Sequence, residues 1–84
     1  MKKVIMFSAN WCGPCQRMKP TFSTLKEQTS NVQMELVDVD EAQKLAHEYD
    51  IRAVPTFVLL KDDREVARVS GGMTAERLKE FINQ

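Results

Sequence analysis

Val4-Ile5-Met6-Phe7 is an unbroken apolar run with Lys2-Lys3 before it and Ser8 after it. The run has no polar alternation and is too short for an amphipathic helix. It fits a strand buried on both faces, of the kind found inside a parallel sheet. The strand is expected over Lys3–Ser8. A strand covered on both sides needs helices on both sides, so this segment commits the chain to an α/β arrangement.

The rest of the chain supplies the matching parts. Pro14 suits a helix start, where its missing N–H would have no intrahelical partner anyway. Cys15, Met18, Phe22 and Leu25 then share one helical face. Pro20 lies inside this helix and removes the hydrogen bond to the Gln16 carbonyl, which predicts a kink near Lys19-Pro20. Val32–Val39 reads as a second strand. Asp40 is a candidate N-cap for a second helix, whose Ala42, Leu45, Ala46 and Tyr49 recur at i, i+3, i+4 and i+7. Thr56–Leu60 and Glu65–Ser70 read as two further strands. Asp62-Asp63 turns between them, since Asp tolerates left-handed backbone better than most residues. Gly71-Gly72 breaks the chain, and Thr74 caps a last helix with Ala75, Leu78, Phe81 and Ile82 inward. The predicted order is β-α-β-α-β-β-α. A right-handed crossover makes the first two strands parallel, and the final hairpin supplies antiparallel neighbours. The result is a four-stranded mixed sheet with three flanking helices.

At 84 residues the length predicts one domain over residues 1–84. A domain of this size buries only about 60–65% of the surface its unfolded chain exposes, which leaves a thin stability margin. Twelve basic and twelve acidic residues cancel, so no overall field favours nucleic acid or an anionic membrane as partner. The apolar run behind Met1-Lys2-Lys3 is too short for a signal peptide or a membrane span. These readings predict a cytoplasmic monomer.

In open α/β sheets, chemistry gathers at the carboxyl end of a central strand. Here that junction is Trp11-Cys12-Gly13-Pro14-Cys15, which holds the chain's two cysteines. A bridge between them closes a very short loop and removes little unfolded-chain entropy, so redox chemistry explains the pair better than stabilisation does. Cys12 sits at the helix start, where free N–H groups and the positive dipole end favour a thiolate. Cys15 lies one turn further in and is expected to be more buried. This assigns attack to Cys12 and resolution to Cys15. Gly13 keeps the junction open to a substrate backbone and Pro14 stiffens the helix start. Trp11 is expected to be a partly exposed platform. A half zinc site is the rival reading of a bare pair of cysteines. It needs two more ligands, and the only histidine, His47, falls on the polar face of the second helix. A purely structural bridge is the other rival. The five methionines are spread along the chain and read as core filler.

Taken together, Trp11-Cys12-Gly13-Pro14-Cys15, Lys19-Pro20, Val37-Asp38-Val39-Asp40, Val54-Pro55-Thr56-Phe57 and Ser70-Gly71-Gly72 resemble the thioredoxin family, in order and in spacing. The resemblance covers nearly the whole chain and implies a thioredoxin-like fold. It implies a cis bond between Val54 and Pro55, with that turn beside the cysteines. It implies that the Val54 backbone pairs with an incoming substrate strand, and that Trp11, Pro55, Gly71 and Gly72 line a shallow apolar groove. It also implies a protein-disulfide reductase that needs no cofactor beyond its Cys12–Cys15 disulfide. Such a protein draws electrons from a thioredoxin reductase and passes them to protein disulfides, ribonucleotide reductase among them.

Three positions depart from the family pattern. The family's N-terminal strand and helix have no counterpart before Val4, which brings the chain close to glutaredoxin in size. Met6 stands where the family has a buried aspartate, and Leu36 where bacterial members have its lysine partner, although Lys19 offers an amine on the first helix. Ser8 replaces an aromatic residue. A glutathione-coupled, glutaredoxin-like protein is therefore the alternative within the same chemistry. A thioredoxin-fold accessory subunit that only binds is the alternative outside it.

Overall fold

The computed structural model describes residues Met1–Gln84. Its elements are β1 (Lys2–Ser8), α1 (Gly13–Gln28), β2 (Val32–Asp38), α2 (Gln43–Glu48), β3 (Thr56–Lys61), β4 (Arg64–Ser70) and α3 (Ala75–Ile82). They form one sheet in the order β2-β1-β3-β4, with β1 parallel to β2 and antiparallel to β3. The apolar run thus lies on an inner strand, and every residue from Val4 to Ser8 is buried.

Side-chain alternation along β1 splits the core into two layers. Val4 and Met6 join Phe57 and Leu59 under Cys15, Met18, Phe22 and Leu25 of α1 and Leu78, Phe81 and Ile82 of α3. Ile5 and Phe7 join Val58 and Leu60 on the other face, where Leu45, Tyr49 and Ile51 cover them. The first layer has 15 buried residues and the second only 4, so α1 and α3 anchor the fold while α2 is a thin cover. None of the residues of α2 is fully buried. No helix is long and apolar enough to cross a membrane.

Several local expectations hold in detail. Asp62 and Asp63 take positive φ values of 51° and 67° in the β3–β4 turn. The Thr74 side chain accepts from the Arg77 N–H at the start of α3. The kink expected near Lys19-Pro20 does not interrupt α1, which remains one helix through Pro20. Gln16 and Pro20 lie on its exposed face, where water can serve the carbonyl that proline leaves free.

Two expectations are corrected. Asp40 does not cap α2: the cap position is Ala42, which makes no side-chain bond. Asp38 does the local turning instead, its Oδ1 accepting from the N–H of Asp40 at 2.8 Å and of Glu41 at 3.4 Å. The second correction is Ala75, which is exposed. It is the first residue of α3, and the face that meets the sheet begins only at Leu78.

The thin α2 side is fastened to β4 by Arg68. Its Nη2 donates to the Tyr49 carbonyl at 2.7 Å, and its Nε and Nη2 reach the Glu65 carboxylate at 2.7 and 2.8 Å. The Arg68 hydrogen bond holds the Glu65 carboxyl below its usual range, against an opposing push from partial burial. A depressed carboxyl stabilises the fold above its unfolded pKa of about 4.3, and that contribution fades as pH falls through the folded value. Glu65 remains 35% exposed, so Glu65→Gln is expected to cost less than about 1 kcal/mol near neutral pH. Urea unfolding at pH 7 and pH 3 checks this: the gap between the variant and the parent should close at the lower pH.

Candidate active site

β1 ends at Ser8, and a short loop carries the chain to the start of α1. The loop is held from the helix side. The Gln16 Nε2 donates to the carbonyls of Ala9 at 3.0 Å and Asn10 at 3.3 Å, and Lys19 Nζ reaches Asn10 Oδ1 at 3.4 Å. The Cys12 N–H donates to the Ala9 carbonyl at 3.2 Å. Cys12 is thereby set as the N-cap of α1, with extended backbone at φ −92° and ψ 111°. Its Sγ accepts from the Cys15 N–H at 3.2 Å, so an otherwise unpaired helix-start donor points at this sulfur.

The sulfurs of Cys12 and Cys15 are bonded to each other, with their Cα atoms 5.2 Å apart. Both residues are buried, Cys15 completely and Cys12 to within 5%. The expected difference in burial is present but small; what distinguishes the two is what lies beside Cys12. Its Sγ is 3.6 Å from the carbonyl oxygen of Val54. The Val54–Pro55 peptide bond is cis. The N–H and C=O of Val54 make no backbone hydrogen bond within the chain, whereas the Pro55 carbonyl accepts from the Gly71 N–H at 2.8 Å.

The structure therefore brings Cys12, Cys15, Val54, Pro55 and Gly71 together. Gly71 has φ +102°, a conformation that favours glycine regardless of neighbours. Gly13 is different: a Cβ there would meet only the Arg17 guanidinium at 3.6 Å, ordinary contact. The chain's own packing does not require glycine at that position. Gly72 shares a shallow cleft of about 480 Å³ with Pro14, Arg17, Met18 and Met73. Trp11 is 72% exposed, and its Nε1 donates to Asp40 Oδ2 at 3.0 Å.

Met6 is fully buried in the same layer as Cys15, and the only buried polar residues in the protein are Ser8 and Thr56. Cys15 thus has no carboxylate in its core layer. Lys19 is engaged by Asn10. Leu36, at the lysine position, is 44% exposed. His47 is exposed, and no group of three or more His, Cys, Asp or Glu side chains is placed to hold a metal.

Four residues escape sequence reasoning. Asp40, a cap candidate in the sequence, holds the Trp11 indole instead. Gln16 carries no motif signal, and its role shows only once Ala9 and Asn10 fold over the helix start. Thr56 and Ser70 belong to recognisable segments, yet their pairing across β3 and β4 follows only from the register.

A redox-competent cysteine pair at the start of a helix, at the end of an inner parallel strand, defines a thiol–disulfide oxidoreductase. The thioredoxin family model matches residues 1–84. A thioredoxin from Aspergillus fumigatus is 49% identical over 80 residues, covering 94% of this chain and 73% of its own length. Human thioredoxin is 43% identical over 81 residues, covering 96% of this chain and 76% of its own. The crystal structure of Fasciola hepatica thioredoxin superimposes with a TM-score of 0.92 at 39% identity, covering 98% of this chain and 78% of the other. The chain belongs to the thioredoxin family, and its activity is that of a protein-disulfide reductase.

Proposed function

We propose that Cys12 is the attacking sulfur and Cys15 the resolving one, and that the Val54 backbone docks the substrate. The observation that carries this reading is the position of Cys12 Sγ, which accepts a helix-start N–H and lies 3.6 Å from the Val54 carbonyl. In the reduced protein the Cys12 thiolate attacks one sulfur of a substrate disulfide. A Cys12–substrate bond forms, the substrate disulfide breaks, and the other substrate sulfur leaves with the electron pair and takes a proton. The Cys15 thiolate then attacks Cys12 Sγ. The Cys12–Cys15 bond forms and the second substrate sulfur is released, so two electrons have passed to the substrate.

The unclaimed N–H and C=O of Val54 suit strand-like pairing with substrates of unlike sequence, since main-chain hydrogen bonds carry the affinity. Trp11, Pro14, Gly71 and Gly72 complete the docking surface; Pro55, expected to line the groove, is fully buried and supports it from within the fold. The disulfide itself is the redox group, and no further cofactor takes part. A thioredoxin reductase is the proposed electron donor. A reducing, cytoplasmic setting is proposed because the two cysteines, three positions apart, form no structural framework.

Insulin-disulfide reduction with each donor in turn tests the reading. The protein is expected to turn over with thioredoxin reductase and NADPH and to be slow with glutathione and its reductase. The reverse preference would establish the glutathione-coupled alternative. Failure with every donor would overturn the assignment.

A further inference from the structure

The loop that presents Val54 is gripped by a pair of hydroxyl groups. Thr56 opens β3 and lies opposite Ser70, the last residue of β4. Thr56 Oγ1 donates to the Ala53 carbonyl at 2.6 Å and lies 2.8 Å from Ser70 Oγ. A hydroxyl has one proton to give. With the Thr56 proton spent on Ala53, Ser70 must be the donor between the two. The residue just after β4 adds a second hold, the Gly71 N–H on the Pro55 carbonyl at 2.8 Å. The end of β4 thus fixes the loop on both sides of Val54: through Thr56 at Ala53, and directly at Pro55. Thr56 is one of only two buried polar residues in the protein, and its hydroxyl is fully engaged.

We propose that Thr56 and Ser70 are positioning residues for substrate docking, holding the free N–H and C=O of Val54 at the distance from Cys12 that lets a substrate backbone pair while its disulfide meets the sulfur. The inference rests on Val54 being the docking edge. Its consequence is selective. A protein disulfide needs the Val54 edge, whereas a small aromatic disulfide reagent reacts with Cys12 without backbone pairing. Loosening the loop should therefore slow the first reaction and spare the second.

Thr56→Val keeps the branched shape and removes both hydroxyl bonds. Steady-state insulin reduction is expected to show a kcat/KM lower by about tenfold, mostly through KM, as for the loss of one or two net hydrogen bonds. The second-order rate with Ellman's reagent should stay within about twofold. Thr56→Ser should restore the parent values, and the exposed Ser70→Ala should show a smaller loss with the same selectivity. Equal losses with both substrates, or full retention with insulin, would overturn the proposal. Failure of the docking reading looks different. It appears in the unmutated protein, as insulin reduction that does not saturate and runs no faster than the reaction with the small reagent.

Discussion

Cys15→Ser is expected to hold a protein substrate on Cys12 as a stable mixed disulfide, and Cys12→Ser is expected to form no such adduct. The asymmetry follows from the surroundings, since both cysteines are nearly or fully buried. Only Cys12 lies beside the Val54 edge, and its Sγ receives the Cys15 N–H. Cys12 is thereby the sulfur with a docking edge beside it. Cys15 is completely buried in the layer that holds Met6, Met18 and Phe22, and its sulfur is bonded to that of Cys12. Each variant should lose insulin turnover by on the order of 10³-fold or more, because either one breaks the two-step exchange. Mass spectrometry separates them: an adduct of protein plus substrate for Cys15→Ser, none for Cys12→Ser. An adduct through Cys15 in the Cys12 variant would refute the division of roles. If the double serine variant kept a partner function, the chain would instead belong with accessory modules.

The order of elements was legible in the sequence because this small chain spends its apolar residues almost wholly on periodic faces. Val4–Phe7 announces an inner strand, and Cys15, Met18, Phe22 and Leu25 announce the face of the helix that covers it; all of these residues are buried. The cysteines were legible because their chemistry and their place at a strand–helix junction agree. The Val54–Pro55 turn was legible only through family resemblance, since nothing local in Ala53-Val54-Pro55 distinguishes it from any other turn. Asp40 shows why the remainder was hidden. In Asp38-Val39-Asp40 either carboxylate can serve the next turn. The choice is made by contacts distant in sequence. Val39 N–H bonds to the Ser8 carbonyl at 2.9 Å, and Asp40 is taken by an indole 29 positions away. Thr56 and Ser70 meet for the same kind of reason, through a register that no local pattern encodes.

Met6→Asp is expected to change both the stability and the pH dependence of the protein, because it places a carboxyl in a layer that has nothing to pair it. Met6 is fully buried, with Leu36 and Phe57 as its cross-strand neighbours. Desolvation would raise the folded carboxyl pKa above its unfolded value of about 3.9. Below that value the group is neutral in both states, and the variant loses only packing and the cost of a buried polar group. As pH rises past it, the unfolded chain ionises first, and stability falls by about 1.4 kcal/mol per pH unit until the folded pKa is passed. Urea unfolding between pH 4 and pH 8 should show this slope in the variant and not in the parent. The same carboxyl bears on resolution. Among the side chains packed in the layer around Cys15, Cys12 is the only other titratable group, and Lys19, one turn along α1, is committed to Asn10. In the parent, release of the mixed disulfide is therefore expected to rise with pH as the Cys15 thiol itself ionises. The variant should add a second inflection where its carboxyl titrates. Rapid-mixing measurements of mixed-disulfide decay across the same range decide the matter. Identical profiles would mean that a base outside the core already takes the Cys15 proton, and that Met6 costs the enzyme nothing at this step.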